Sequence, residues 1–279
     1  MSSLPAQPLT VALYILSRIQ QGSTYAVCKG AFYSIKHMHK LHMMPDPTLE
    51  VLPAMMLEAA KRLDNHVLTK KEPISTDILI KLHEKLIVNM GNLGSVRTMC
   101  FCILGYCGFL RYDEISNLRF GDFIFETTFM KIFIEKSKTD VYRDGKWLFV
   151  ANGDTHLCPA SIVKLYFGLC GFSASSNNEF IFRGISKGRN HERLKTPNKP
   201  LSYTRVREVL LEALTAIGLE ARAFGTHSLR AGGATEAANA GIPDRLFKKH
   251  GRWKSDSAKD GYVKDNVNQL LRVSKSLGL

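Results

Sequence analysis

The run Thr226-His227-Ser228-Leu229-Arg230-Ala231-Gly232-Gly233 is followed by Gly-Arg-Trp at 251–253 and by Gly-Tyr-Val at 261–263. His227 and Arg230 lie three residues apart, so on a helix their side chains share one face and can converge on one ligand atom. The small residues after them let another element, or a nucleic-acid strand, approach closely. Trp253 adds an indole N–H donor and Tyr262 a phenolic hydroxyl. A base, a fixed cation, a donor and a hydroxyl together suit attack on a phosphoryl centre. Each also has an ordinary explanation: a His-x-x-Arg pair fits a partly exposed helix face, and a lone tyrosine fits a packed core. Residues upstream have to separate the two.

Working back toward the N-terminus, Gly108-Phe109-Leu110-Arg111-Tyr112-Asp113-Glu114-Ile115 places an arginine directly after the apolar run Met99 to Leu110. A guanidinium on so rigid a platform suits a phosphate contact, and Glu114, one turn on, can orient it. A surface Arg-Glu pair at a helix end is the alternative. From Asp122 to Val150 the pattern becomes period-two, and 123–125, 130–134 and 147–150 read as three short antiparallel strands. Lys138, in Lys136-Ser137-Lys138-Thr139-Asp140, falls at a hairpin tip, where it can reach into a cleft or remain a solvated turn lysine.

The rest of the chain reads as helices. Apolar spacing predicts helices over 11–19, from a Ser23-Thr24 cap to Lys40, and over 49–63 from a start at Thr48. The polar segment Thr69-Lys70-Lys71-Glu72-Pro73 marks a boundary between residues 1–72 and 73–279. Beyond it, helices are expected over 77–89 from a Ser75 or Thr76 cap, 95–109, 159–169, 202–218 and 266–277. The fold class is therefore mainly α with a small antiparallel β-sheet, α+β. Residues 177–199 read as a basic polar loop, whose Arg183, Lys187, Arg189 and Arg193 join Lys36 and Lys40 as candidates for phosphate-backbone contacts. His37, His39 and His42 cluster on the second helix between Lys36 and Lys40. With no acidic or thiol partner nearby, they read as a basic, solvated face rather than a metal site.

Composition narrows the class. The 279 residues carry 38 Lys plus Arg against 25 Asp plus Glu, a formal charge of +13, which favours a polyanionic partner. The basic residues are dispersed, as on folded basic surfaces. Six cysteines without a Cys-x-x-Cys pair suggest a reducing compartment. No signal peptide is read, and the longest apolar run is too short to span a bilayer, so an intracellular location without membrane attachment is expected.

Arg111, Lys138, His227-x-x-Arg230, Trp253 and Tyr262, in that order, resemble the tyrosine recombinase (phage integrase) family. Gly-x-Leu-Arg-x-x-Glu-Ile at 108–115 looks like its first-arginine motif, with Glu114 as supporting acid. Ser137-Lys138-Thr139 sits where the family places its β-hairpin lysine, and Thr226 to Ala234 is similar to its second box. Trp253 precedes Tyr262 by the family's interval from the histidine-or-tryptophan position to the nucleophile, whereas His250 lies three residues too early. The resemblance spans roughly 74–265. The phrase Lys248-Lys249-His250-Gly251-Arg252-Trp253 looks more like recombinases of eukaryotic mobile elements, crypton-like or retrotransposon-borne, than like bacterial chromosome-dimer enzymes.

The resemblance implies a helical, core-binding (SAM-like) DNA-binding domain over 1–72, shorter than the family's usual one, and a catalytic domain over 73–279. It implies DNA strand exchange through a 3′-phosphotyrosine intermediate with Tyr262 as nucleophile. Neither a metal, a cofactor nor ATP is called for. The implied partner is double-stranded DNA, bound by a homo-oligomer, a tetramer in relatives. In a eukaryote the location would be nuclear, otherwise cytoplasmic. Type IB topoisomerase-like relaxation and a domesticated, inactive DNA-binding protein stand as the alternatives.

Overall fold

The computed structural model describes residues 4–65, 70–88, 92–137, 140, 142, 144–188 and 192–278. The chain divides into two compact units, Met1–Lys70 and Lys71–Leu279.

The first unit is three helices, α1 (Pro8–Gln20), α2 (Tyr25–Leu41) and α3 (Val51–Leu63). Pro8 opens α1, where its missing N–H costs nothing. Thr24 caps α2 by accepting the Val27 amide. The third helix starts later than the sequence suggests: Asp46 accepts from both the Thr48 amide and its hydroxyl, closing a short 3-10 turn at Pro47–Leu49. Ile15, Cys28, Phe32 and Ala60 form the core. His39 corrects the expectation of a solvated histidine face. It is fully buried, its Nδ1 donating to the Ile35 carbonyl (2.8 Å) while its Nε2 accepts the Ala6 amide (2.9 Å). A long-range backbone partner, invisible in sequence spacing, draws it inward.

The second unit is built around α5 (Leu93–Cys107), which is buried over most of its length and is preceded by α4 (Thr76–His83). Ser75 caps α4, and a single π turn at Glu84–Val88 extends it. Asn92 caps α5 and Gly108 closes it. After the short α6 (Tyr112–Ser116) come β1 (Phe123–Phe125), β2 (Phe129–Ile134) and β3 (Lys146–Ala151). They form an antiparallel sheet in the order β1-β2-β3, with Met130 opposite Val150 and Ile132 opposite Leu148. The alternation works as a period-two pattern should: Met130, Ile132, Ile134, Leu148 and Val150 point into the core.

The helix α7 (Pro159–Cys170) packs along α5. The expected loop at 177–199 instead holds a two-stranded hairpin, β4 (Ile185–Lys187) paired with β5 (Glu192–Leu194). Its strands are too short and too polar to show a period. Then follow α8 (Tyr203–Ala216), α9 (His227–Asn239), α10 (Asp244–Gly251), α11 (Asp256–Asp260) and α12 (Val267–Lys275). Among the described residues no helix is long and apolar enough to cross a membrane.

Candidate active site

The site begins where α5 ends. Phe109 follows the closing glycine with a left-handed backbone (φ 47°), unusual for a bulky residue. That turn aims its carbonyl at two arginines: Arg230 Nη1 donates to it, and Arg252 Nη2 donates at 3.1 Å. Arg111 is the cap of α6. Glu114 Oε2 accepts its backbone amide at 2.9 Å, and Oε1 accepts its Nη1 at 2.8 Å. The same carboxylate accepts from Arg252 Nη2 at 3.0 Å and lies 4.0 Å from Arg230 Nη1. One buried glutamate therefore gathers three guanidinium groups. Burial pulls its pKa upward, but Arg252, the Arg111 amide, and the Arg111 and Arg230 charges outweigh that and hold it below the ordinary glutamate value.

The helix α9 brings Arg230 to this cluster because it can press into its surroundings. A Cβ on Gly232 would collide with the Ile74 carbonyl and one on Gly233 with the Tyr106 carbonyl, so the Ala-Gly-Gly run admits another element of the fold. Arg230 is completely buried. Its Nη2 donates to the Gly251 carbonyl at 2.7 Å, while its Nε has no hydrogen-bond partner among the described residues. Burial first, then the Arg111 charge, pulls its pKa down to about 9, which still leaves it cationic at neutral pH.

Two aromatic rings cover this cation. Arg230 Cζ lies 4.5 Å from the Trp253 ring centroid and 4.8 Å from that of Tyr262. Trp253 packs on Tyr262 with centroids 5.8 Å apart and also on Phe109 and Phe247. Its indole N–H is buried without a partner among the described residues. His227, exposed in the first turn of α9, sets its ring 6.1 Å from that of Tyr262. Tyr262 is half-buried in the turn after α11. His250 is engaged elsewhere: its Nε2 meets the Cys107 carbonyl at 2.8 Å, its ring stands on Phe109, and burial lowers its pKa.

Arg111, Glu114, His227, Arg230, Trp253 and Tyr262 are thus brought to one place by α6, α9 and the α10–α11 region. Lys138 lies outside the described residues, in the β2–β3 connection, as does Arg189 in the β4–β5 connection. Among the candidate phosphate contacts, Lys40, Lys187 and Arg193 are exposed, and Lys36 is 3.4 Å from Asp46. Arg183 is a correction. It is buried, its Nη2 is 2.7 Å from Glu179, and its guanidinium lies over Phe172, so it serves the fold. Arg252 is the residue that sequence reasoning missed. It has a left-handed backbone (φ 56°), is 8% exposed, and donates to the His250, Gly108 and Phe109 carbonyls besides Glu114. No sequence signal marks it, since Glu114 and Gly108 lie 138 and 144 positions away.

The model of the phage integrase family matches residues 79–269. The chain belongs to that family. An integrase/recombinase XerD homolog from Selenomonas ruminantium is 23% identical to this integrase-family chain over 273 residues, covering 94% of it and 74% of the relative. Among solved structures, the Tn1549 transposon integrase in complex with transposon right end DNA superposes with a TM-score of 0.65 at 12% identity, covering 100% of this chain and 88% of that one. The XerH site-specific recombinase bound to palindromic difH substrate gives 0.63 at 16% identity, covering 98% and 70%. A lambda integrase dimer bound to a COC′ core site gives 0.58 at 17% identity, covering 95% and 82%. At these identities the likeness shows the fold, mainly helical with small antiparallel sheets. The family's match takes in every element from α5 to α11, and hence the whole guanidinium cluster.

Proposed function

We propose that this protein cuts and rejoins double-stranded DNA by site-specific recombination, with Tyr262 as nucleophile. One observation carries the proposal: three guanidinium groups share a single buried carboxylate beside the Tyr262 ring, leaving two net positive charges in a largely buried site. Surplus buried cation is costly unless an anion arrives to share it. A scissile phosphodiester, and still more its pentavalent transition state, is such an anion.

In the cleavage step Tyr262 Oη gives up its proton, with His227 as base, and attacks the phosphorus. The bond from phosphorus to the 5′ oxygen breaks, and Lys138 protonates that departing oxygen to give the 5′-hydroxyl. Arg111 and the Nε of Arg230 bind the non-bridging oxygens, with the indole N–H of Trp253 as a further donor. The 3′-phosphotyrosine linkage keeps the energy of the diester, so a 5′-hydroxyl of another strand reverses the reaction without ATP. Because the Tyr262 ring lies on Arg230, the 261–263 turn has to swing aside to admit the phosphate.

On this reading residues 1–72 also bind DNA, and the protein assembles as a homo-oligomer, a tetramer, on its target. Origin in a eukaryotic mobile element, and with it a nuclear location, rests on the Lys248–Trp253 phrase alone. The test is a duplex carrying a nick next to the cleavage site. Covalent capture that disappears in Tyr262→Phe is expected. Tight sequence-specific binding with no adduct would establish a binding protein instead, and site-independent relaxation of supercoils a topoisomerase.

A further inference from the structure

Away from the Tyr262 pocket, a hollow of about 740 Å³ lies between the first turns of α5, the β4–β5 hairpin and α8. Six cations line it: Lys85, Arg97, Lys187, Lys195, Lys199 and Arg205. Its two carboxylates are already engaged. Glu192 Oε2 accepts the Gly94 amide at 2.9 Å, and Glu212 lies 3.6 Å from Arg205. Lys85, Lys195 and Lys199 have no carboxylate partner among the described residues.

Arg97 is the deciding group. It is 6% exposed, and Nη1 donates to the Arg183 carbonyl at 2.7 Å. Among the described residues that is its only hydrogen bond; the Glu192 carboxylate is near enough to favour its charge but forms no ion pair with it. Burial pushes its pKa down. A neutral donor would hold that carbonyl as well. A permanent charge kept at such depth, at the wall of a cation-rich hollow, calls for a counter-anion. A planar guanidinium fork flanked by mobile lysines suits phosphate. The same hollow offers Leu86, Ile185, Val209 and Ala213 to an apolar body, and its size falls within the range of small-molecule sites.

We propose that this hollow binds a phosphate-bearing ligand of nucleotide size, with Arg97 as buried anchor and Lys195 and Lys199 at the rim. Two sources share that chemistry: a free nucleoside polyphosphate, and a nucleotide unit of bound DNA. The second is compatible with position, since Leu201 at the edge of the hollow accepts a hydrogen bond (2.6 Å) from Tyr112, the neighbour of Arg111.

The test is calorimetric titration of the full chain with dATP and with pyrophosphate, beside the double variant Lys195→Glu/Lys199→Glu and the single variant Arg97→Met. Binding at least tenfold weaker in the rim variant, and abolished in Arg97→Met, is expected. The rim residues are exposed, so that variant stays informative should Arg97→Met not fold. A free-nucleotide site keeps its dATP on DNA-bound protein. A DNA-unit site shows competition between dATP and duplex, and the rim variant lowers the salt slope of duplex binding by about 0.9 for each phosphate it no longer neutralises. Failure of both probes to bind together with an unchanged slope, or binding equally tight in both variants, overturns the proposal. Either result leaves the Tyr262 assignment standing, because neither variant touches that pocket.

Discussion

Arg252 and Glu114, 138 positions apart, form a buried ion pair with Arg252 Nη2 3.0 Å from Glu114 Oε2. The same carboxylate orients Arg111, so a residue next to Trp253 sets the arginine that follows α5. The left-handed backbone at Arg252 makes this possible: it turns the side chain back under α10 toward the Gly108 and Phe109 carbonyls.

Arg252→Gly therefore loses more than it relaxes. Removing one member of a buried pair costs about 3–5 kcal/mol, and relief of left-handed strain returns about 1–2, so a net loss of about 1–4 kcal/mol is expected, toward the low end because Glu114 keeps Arg111 and Arg230. Urea unfolding measures it. Adduct formation on a nicked duplex should fall as well, since Glu114 then lacks its strongest counter-charge. Undiminished stability would show that the pair contributes nothing.

Glu114→Gln should remove a pH dependence. The folded pKa of Glu114 is depressed, so the unfolded chain takes up its proton at higher pH than the folded one. Its contribution is therefore full above the unfolded value, about 4.3, and is lost as pH falls through the lower folded value. Wild type should lose this part of its stability across that acidic window, and the glutamine variant should lack the slope. Matching slopes in denaturation midpoints between about pH 5 and about pH 2 would contradict the assignment.

Tyr262→Phe keeps the ring on Arg230 and removes only the hydroxyl. Stability should change by less than about 0.5 kcal/mol while covalent capture of DNA vanishes. Residual adduct, located by peptide mapping, would name a different nucleophile.

Lys138→Ala should slow cleavage of ordinary DNA, and a substrate with a better 5′ leaving group should restore the rate. Equal slowing on both substrates would remove Lys138 as the acid.

Gly233→Ala should destabilise by about 1–3 kcal/mol, because its methyl group meets the Tyr106 carbonyl. Gly30→Ala, in α2 with open space around it, should stabilise its unit by about 0.5–1 kcal/mol. Thermal unfolding of the two variants checks the contrast.

How far the residue order alone could reach varied with the range of the interactions involved. Most helix spans, the Thr24 and Ser75 caps and the three-stranded sheet are local matters of period and side-chain capping and can be read directly, whereas the short α6, α10 and α11 give too little period to read. Arg111, His227, Arg230, Trp253 and Tyr262 can be named because, taken in order, they resemble the family's motifs; spacing alone leaves each with an ordinary explanation. Their convergence depends on α9 pressing its two glycines against Ile74 and Tyr106, which is a packing outcome. Burial of His39, the commitment of Arg183 to Glu179 and the role of Arg252 were all decided by partners brought near in space. Charge and residue type mark a side chain as able to bind phosphate; only the folded environment determines whether the fold has already used it.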